Sequence, residues 1–168
     1  VLNEAVDIDD RPTVIRYSKD PIPDDIRIVT SHDGLDVLCD GPEDGILLVA
    51  HGQLCAEALA AVDQLDSPVR VVSPRWSLPV CGGLIEEAAR ARAVVSVEDG
   101  LVVSGLGSHL ADALSQRGMW RPIRSLGIPQ RYLDHDSRSA IMAELGLDSR
   151  GIADAVSQLV AQLDGEYS

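Results

Sequence analysis

The chain contains no phenylalanine at all, and aromatic residues make up only 3% of it. Its core must therefore be built from Val, Leu, Ile and Ala, a composition suited to parallel strands covered by helices on both faces. Long apolar runs are also missing: no uninterrupted stretch approaches the ~20 residues that a membrane-crossing helix needs. The opening residues, VLNEAVDIDD, have neither the basic region nor the apolar run of a secretory signal. The expectation is a cytoplasmic protein with no membrane partner. Cysteine is scarce, at Cys39, Cys55 and Cys81, with no CxxC spacing. That argues against a disulfide framework and against a structural zinc site, and leaves buried or half-buried thiols. Basic residues number 14 against 27 acidic ones, giving a formal net charge of -13. Such a chain repels a phosphate backbone, so nucleic acid is not an expected partner. The acidity is spread over DIDD, KDPIPDD and DGPEDG, which read as solvated loops. The first residue is Val, and the chain is expected to be a piece of something longer.

What is present is enough for one domain. At 168 residues with 45% apolar composition, the chain should bury roughly 70% of the surface its unfolded form exposes. From Arg11 to about Asp44 it carries four of its nine prolines and many Asp residues, with short apolar runs at TVIRY, IRIV and LDVLC. This region reads as linker-like. Regularity begins after Gly45. ILLVAH is a short run of mostly branched apolar residues, expected to be a strand over 46–51. Leu54, Ala58, Ala61, Val62 and Leu65 then recur at helical spacing, and Ser67-Pro68 ends that helix. A strand over 69–73, a helix through Leu84, Ile85, Ala88 and Ala89, and a strand over 93–98 follow. A glycine-punctuated loop from Asp99 to Gly107 leads into a helix carrying Leu110, Ala113 and Leu114. A final short strand is expected near 122–127. Strands alternating with helices of ~10 residues imply crossover connections, and hence an α/β fold with a doubly wound, mostly parallel sheet. Asp136 or Ser137 can cap a helix that runs through Leu145 to Gly146. Asp148 or Ser149 can cap the next, whose apolar face holds Ile152, Val156, Leu159, Val160 and Leu163.

Candidate chemistry is sparse. SGLGS at 104–108 opens a helix, where backbone N–H groups can hold a phosphate. It is not a full GxGxxG, however, and lacks the acidic ribose partner, so the glycines are read as permitting a tight turn and close helix packing. His32, His51, His109 and His135 lie far apart without paired-ligand spacing, which argues against a metal site. His51 and Cys55 stand one helical turn apart and pose the question of a nucleophile pair, but no orienting third group stands at a recognisable position. Ser108 with His109 lacks the nucleophile-elbow pattern.

Four segments in order carry a resemblance: SPRWSLPV at 73–80, VSVEDG at 95–100 with GLGS at 105–108, SLGIPQRYLDH at 125–135 and AELGLDSRGI at 143–152. Together they resemble the carboxyl-terminal end of the 1-deoxy-D-xylulose-5-phosphate synthases, and Arg-Trp-x-Leu-Pro at 75–79 is similar to the actinobacterial branch. Upstream, PTVIRYSKD at 12–20 is similar to the Arg-Tyr-Pro-Arg/Lys-Gly segment that closes that family's pyrimidine-binding domain. The resemblance implies that residues 1–34 are the end of that domain and a linker, and that 35–168 form a transketolase C-terminal-like domain. It implies a full-length enzyme that uses thiamine diphosphate and Mg2+ to condense pyruvate with glyceraldehyde 3-phosphate. The family's metal- and diphosphate-binding segments and its activating glutamate are absent from this chain. The piece is therefore expected to bind no cofactor and to have no activity alone. Its implied partners are the remaining domains of the same chain and a second subunit in a homodimer. The family's phosphate-gripping basic residue falls on Lys19, with Ser18 and Asp20 replacing the usual Pro and Gly. VSG before GLGS, and Ser73 where Asp is common, are further departures. The alternatives are the C-terminal domain of another transketolase-like enzyme, such as a 2-oxo acid dehydrogenase β subunit, and a non-catalytic interaction domain.

Overall fold

The computed structural model describes residues 2–15 and 26–165. In chain order the elements are α1 (Leu2–Asp7), β1 (Thr30–His32), β2 (Leu35–Cys39), β3 (Ile46–Ala50), α2 (Leu54–Val62), β4 (Val69–Pro74), α3 (Gly82–Arg90), β5 (Ala93–Leu101), α4 (Leu106–Ser115), β6 (Ile123–Ile128), α5 (Arg138–Glu144) and α6 (Ser149–Gly165). The strands form one sheet in the order β1-β2-β4-β3-β5-β6. β4, β3, β5 and β6 run parallel, while β1 and β2 are added antiparallel at one edge. The doubly wound, mostly parallel α/β architecture is thus the one the alternation implies.

The core is a sandwich on each face of the sheet, and the strand periodicity of two decides which residue faces which helix layer. Ile46, Leu48, Ala50, Val69, Val71, Val95 and Val97 face α2, α5 and α6. Leu47, Val49, Val72 and Val94 face α3 and α4, together with Leu35 and Val37 of β2. Strands covered on both sides need apolar residues at every position, so β3 is buried along its whole length. α6 buries Ile152, Val156, Leu159 and Leu163 and leaves Asp154, Gln158 and Gln162 exposed, following the spacing of its apolar stripe. Ser137 caps α5 through its Oγ, which accepts from Ala140 N at 3.2 Å. Asp148 Oδ1 accepts from Gly151 N at 2.9 Å at the start of α6. Gly146, at φ +65°, makes the left-handed turn between the two helices.

Two expectations need correction. The linker-like reading of 11–44 overlooks β1 and β2: LDVLC is a strand paired with β4, with Leu35 and Val37 wholly buried. Its flanking Asp and Gly residues belong to the tight Asp33-Gly34 turn, where φ is +43° and +77°, and that turn folds β1 back on β2. The loop expected from Asp99 begins later, because β5 continues to Leu101, which pairs with Ile128 across a register shift.

Candidate functional site

In a doubly wound sheet the natural site is the crevice at the carboxyl ends of the strands where the winding reverses. Here β3 connects through α2 to β4 on one side, and β5 connects through α4 to β6 on the other, so the reversal lies between β3 and β5. His51, Gly52 and Gln53 follow β3, and Glu98 and Asp99 stand near the end of β5. The crevice is closed from within the chain. Arg138, the first residue of α5, donates to Gln53 Oε1 at 3.1 Å and pairs with Asp99 Oδ2 at 3.1 Å. Glu57 of α2 accepts from Ser149 N at 2.8 Å, fixing the start of α6 beside it. Gln53, Glu57 and Asp99 thus hold the starts of α5 and α6 over this end of the sheet.

The glycine loop is occupied in the same way. The Glu98 carboxylate sits at the amino end of α4, its Oε2 accepting from Leu106 N at 3.1 Å, where the helix dipole favours negative charge. A Cβ on Gly105 would overlap this carboxylate, and one on Gly107 would overlap the hydroxyls of Ser96 and Ser125. The glycines of SGLGS therefore let α4 approach β5 and β6 closely, and the anion its amino end receives is Glu98 itself. Burial pushes the Glu98 carboxyl above its ordinary range, opposed by the bonds from Leu106 and Gly107. Its Oε1 is buried without a hydrogen-bond partner.

His51 and Cys55 do not form a nucleophile pair. The His51 Nδ1–H donates to Pro74 O at 3.2 Å, and burial lowers the imidazole's pKa against the opposing effect of that bond. Cys55 is buried, donates to Ser73 Oγ at 3.4 Å, and burial pushes its thiol upward, away from the reactive thiolate. Ser108 Oγ donates to Val102 O at 3.2 Å and is engaged in the turn. Lys19 lies outside the described residues. No group of three or more His, Cys, Asp or Glu side chains is placed to hold a metal ion among the described residues. With the α4 amino end also taken, these residues do not fit a magnesium-bound diphosphate.

Sequence reasoning missed the ion pairs beyond the crevice. Arg70 on β4 is buried and donates to Glu87 Oε2 at 2.9 Å and to Asp40 Oδ1 at 2.8 Å, and His32 Nε2 lies 3.4 Å from Glu87 Oε1. An Arg inside an apolar strand was the available signal, since a charge there requires a buried partner.

The model of the family described as "Transketolase, C-terminal domain" matches residues 36–152. A 1-deoxy-D-xylulose-5-phosphate synthase 2 of Streptomyces avermitilis is 43% identical over 99% of this chain and 27% of its own length. A 1-deoxy-D-xylulose-5-phosphate synthase of Corynebacterium glutamicum is 40% identical over 99% of this chain and 28% of its own. The chain thus spans about a quarter of the length of these relatives. Among solved structures, a split gene transketolase described as an inactive β4 tetramer superposes with a TM-score of 0.64 at 29% identity, covering 77% of this chain and 42% of that one. Transketolase from Campylobacter jejuni shares the fold, with a TM-score of 0.53 at 16% identity over 79% of this chain and 20% of its own. A parallel sheet wound on both faces, a glycine loop closed by its own glutamate, and a family match running from β2 into α6 lead to one assignment: the chain belongs to the transketolase C-terminal domain family.

Proposed function

We propose that this chain is the carboxyl-terminal part of a 1-deoxy-D-xylulose-5-phosphate synthase, a cytoplasmic transferase that joins pyruvate to glyceraldehyde 3-phosphate with loss of carbon dioxide, serving isoprenoid and thiamine synthesis. The observation that carries this reading is identity of 40–44% to several synthases over 96–99% of the chain. When bound, thiamine diphosphate with Mg2+ supplies the carbanion chemistry. In this reading those groups are held by domains outside the chain, consistent with the internally closed crevice and the occupied amino end of α4. Residues 35–168 are then a structural domain that supports a homodimer, and 1–34 end the pyrimidine-binding domain and lead into it. The domain's own residues contribute rigidity: Arg138, Asp99 and Glu57 fix the loops at the carboxyl end of the sheet.

Lys19 is assigned the phosphate of glyceraldehyde 3-phosphate, from its place in the Arg-Tyr-x-Lys segment. A hydrogen bond to a charged group contributes roughly 1.5–3 kcal/mol, so Lys19→Ala in the intact enzyme should lower kcat/KM for the phosphorylated acceptor about 10- to 150-fold. Addition of pyruvate to the cofactor should be spared, and unphosphorylated glyceraldehyde should show a much smaller penalty. Steady-state kinetics with both acceptors decides the assignment; an equal loss with the two would refute it. Calorimetric titration of the 168-residue chain with thiamine diphosphate and Mg2+ should give no binding heat, and tight binding would overturn the placement of the cofactor on other domains.

A further inference from the structure

The outer edge of β6 has no strand beside it among the described residues. β6 is six residues long and half-buried throughout, whereas β1 at the opposite edge has only three residues. Natural sheets shorten, charge or cover a free edge because its unpaired N–H and C=O groups template another strand. At the start of β6 an open groove of about 510 Å³ meets that edge, lined there by Pro122, Ile123 and Arg124. One wall comes from Leu114 of α4 and the other from Leu159 of α6, which lie on opposite faces of the sheet, so the edge of β6 forms the floor between them. Trp120 stands at the groove, 77% exposed.

The backbone register says which groups of β6 point away from β5, along the free edge that begins at the groove. Val94 N donates to Pro122 O, and in a parallel ladder the bonded residues alternate along a strand. Arg124 and Leu126 therefore turn their backbone groups toward β5, and Ile123 and Ser125 turn theirs outward. The groove is also positive. Arg121 and Arg124 line it, and no acidic residue does. Arg121 donates to Ala89 O and to Ala91 O (2.9 Å), and Arg124 donates to Ala155 O at 3.0 Å and Gln162 Oε1 at 2.7 Å. Every one of these acceptors is neutral, and neither guanidinium has an ion-pair partner among the described residues. In a chain of net charge -13, two such cations beside a free strand edge are a local reversal of sign.

We propose that this groove receives an acidic segment of a partner protein in extended conformation, added to β6 as a further strand. The backbone of Ile123 and Ser125 supplies the ladder, Arg121 and Arg124 select carboxylates, and Trp120 closes over the alternate apolar side chains. This inference is independent of the reaction assigned above.

The probe is a synthetic, end-blocked heptapeptide in which Glu or Asp alternates with Val, added to the 168-residue chain carrying Trp76→Phe, in which Trp120 is the remaining indole. Saturable binding with a blue shift of Trp120 emission is expected. Amide exchange should slow about tenfold or more at Ile123 and Ser125, with little change at the already bonded Arg124 and Leu126. Arg124→Gln should weaken the peptide by about two- to fivefold, the range for a partly exposed ion pair, and salt should weaken it further. A peptide with Lys at the acidic positions should not bind. The proposal fails if the Lys peptide binds equally well, or if exchange at Ile123 and Ser125 is unchanged at saturation. It fails also if sedimentation shows the chain self-associating through this edge, in a form lost on Arg124→Glu, since the occupant is then a second copy.

Discussion

Two glutamates, Glu87 buried and Glu98 half-buried, lie on either side of the sheet's centre, and they are held in opposite ways. Glu87 on α3 is 2% exposed and meets the Arg70 guanidinium through both carboxylate oxygens, at 2.9 and 3.2 Å, with Asp40 completing the cluster beneath the β2 edge. Glu98 on β5 meets no cation in hydrogen-bond contact among the described residues. It accepts from backbone N–H groups at the start of α4, and its Oε1 has no partner among the described residues. The first arrangement ties the chain just after the antiparallel strand β2 to the parallel sheet with paired charge. The second fills a helix terminus and, with Gly105 and Gly107, lets α4 sit close to β6. The contrast teaches that the same residue type stabilises by pairing in one place and by occupying a would-be anion site in the other.

The largest effect is expected where the pair is broken. Glu87→Ala leaves Arg70 buried beside a single, exposed Asp40, and removal of one partner from a buried pair costs about 3–5 kcal/mol. Chemical denaturation should show that loss, with amide exchange in β1 and β2 rising first. A change of less than about 1 kcal/mol would mean that Arg70 turns to solvent without cost. On the other side, Gly107→Ala places a methyl group against the hydroxyls of Ser96 and Ser125. Overpacking of this kind costs about 1–3 kcal/mol, so a lower melting temperature and looser α4 are expected; unchanged stability would show that the two serines can rotate away.

The smallest effect is a dependence on pH at Glu98. The folded-state pKa of Glu98 lies above its ordinary value of 4.5 because of burial. The folded chain therefore binds this proton more tightly than the unfolded chain, and Glu98 costs stability as pH rises from 4.5 through the folded value. Glu98→Gln keeps one acceptor for Leu106 N and removes the charge. Its unfolding free energy relative to wild type should increase over that pH window, by about 1 kcal/mol or less given the partial exposure of the group. Denaturant curves across pH would decide it, and a difference that shrinks as pH rises would place the carboxylate, rather than the acid, as the favoured form in the folded chain.

Much of this was legible in the residues. β3, β4, β5 and α6 announce themselves because both-face burial and a helical stripe leave strong apolar patterns over several consecutive turns or pleats. β2 was not legible as a strand: its five residues include Asp36, and its apolar character is earned only when β4 lies beside it. The glycine loop was legible as a close approach, while the identity of the group that fills it was not, because Glu98 reaches Leu106 from eight residues upstream.

By itself the sequence determined the parallel alternation, the places of the two helix starts at 136–137 and 148–149, and the order of segments that ties the chain to its family, because each depends on spacing along a few turns of chain. Only the tertiary structure decided that Arg138 closes the crevice between β3 and β5, that Arg70 of β4 and Glu87 of α3 meet on one face of the sheet, and that two arginines beside β6 meet no acid among the described residues. Those outcomes depend on strand order, and strand order is fixed by which apolar faces bury one another across contacts far apart in the chain.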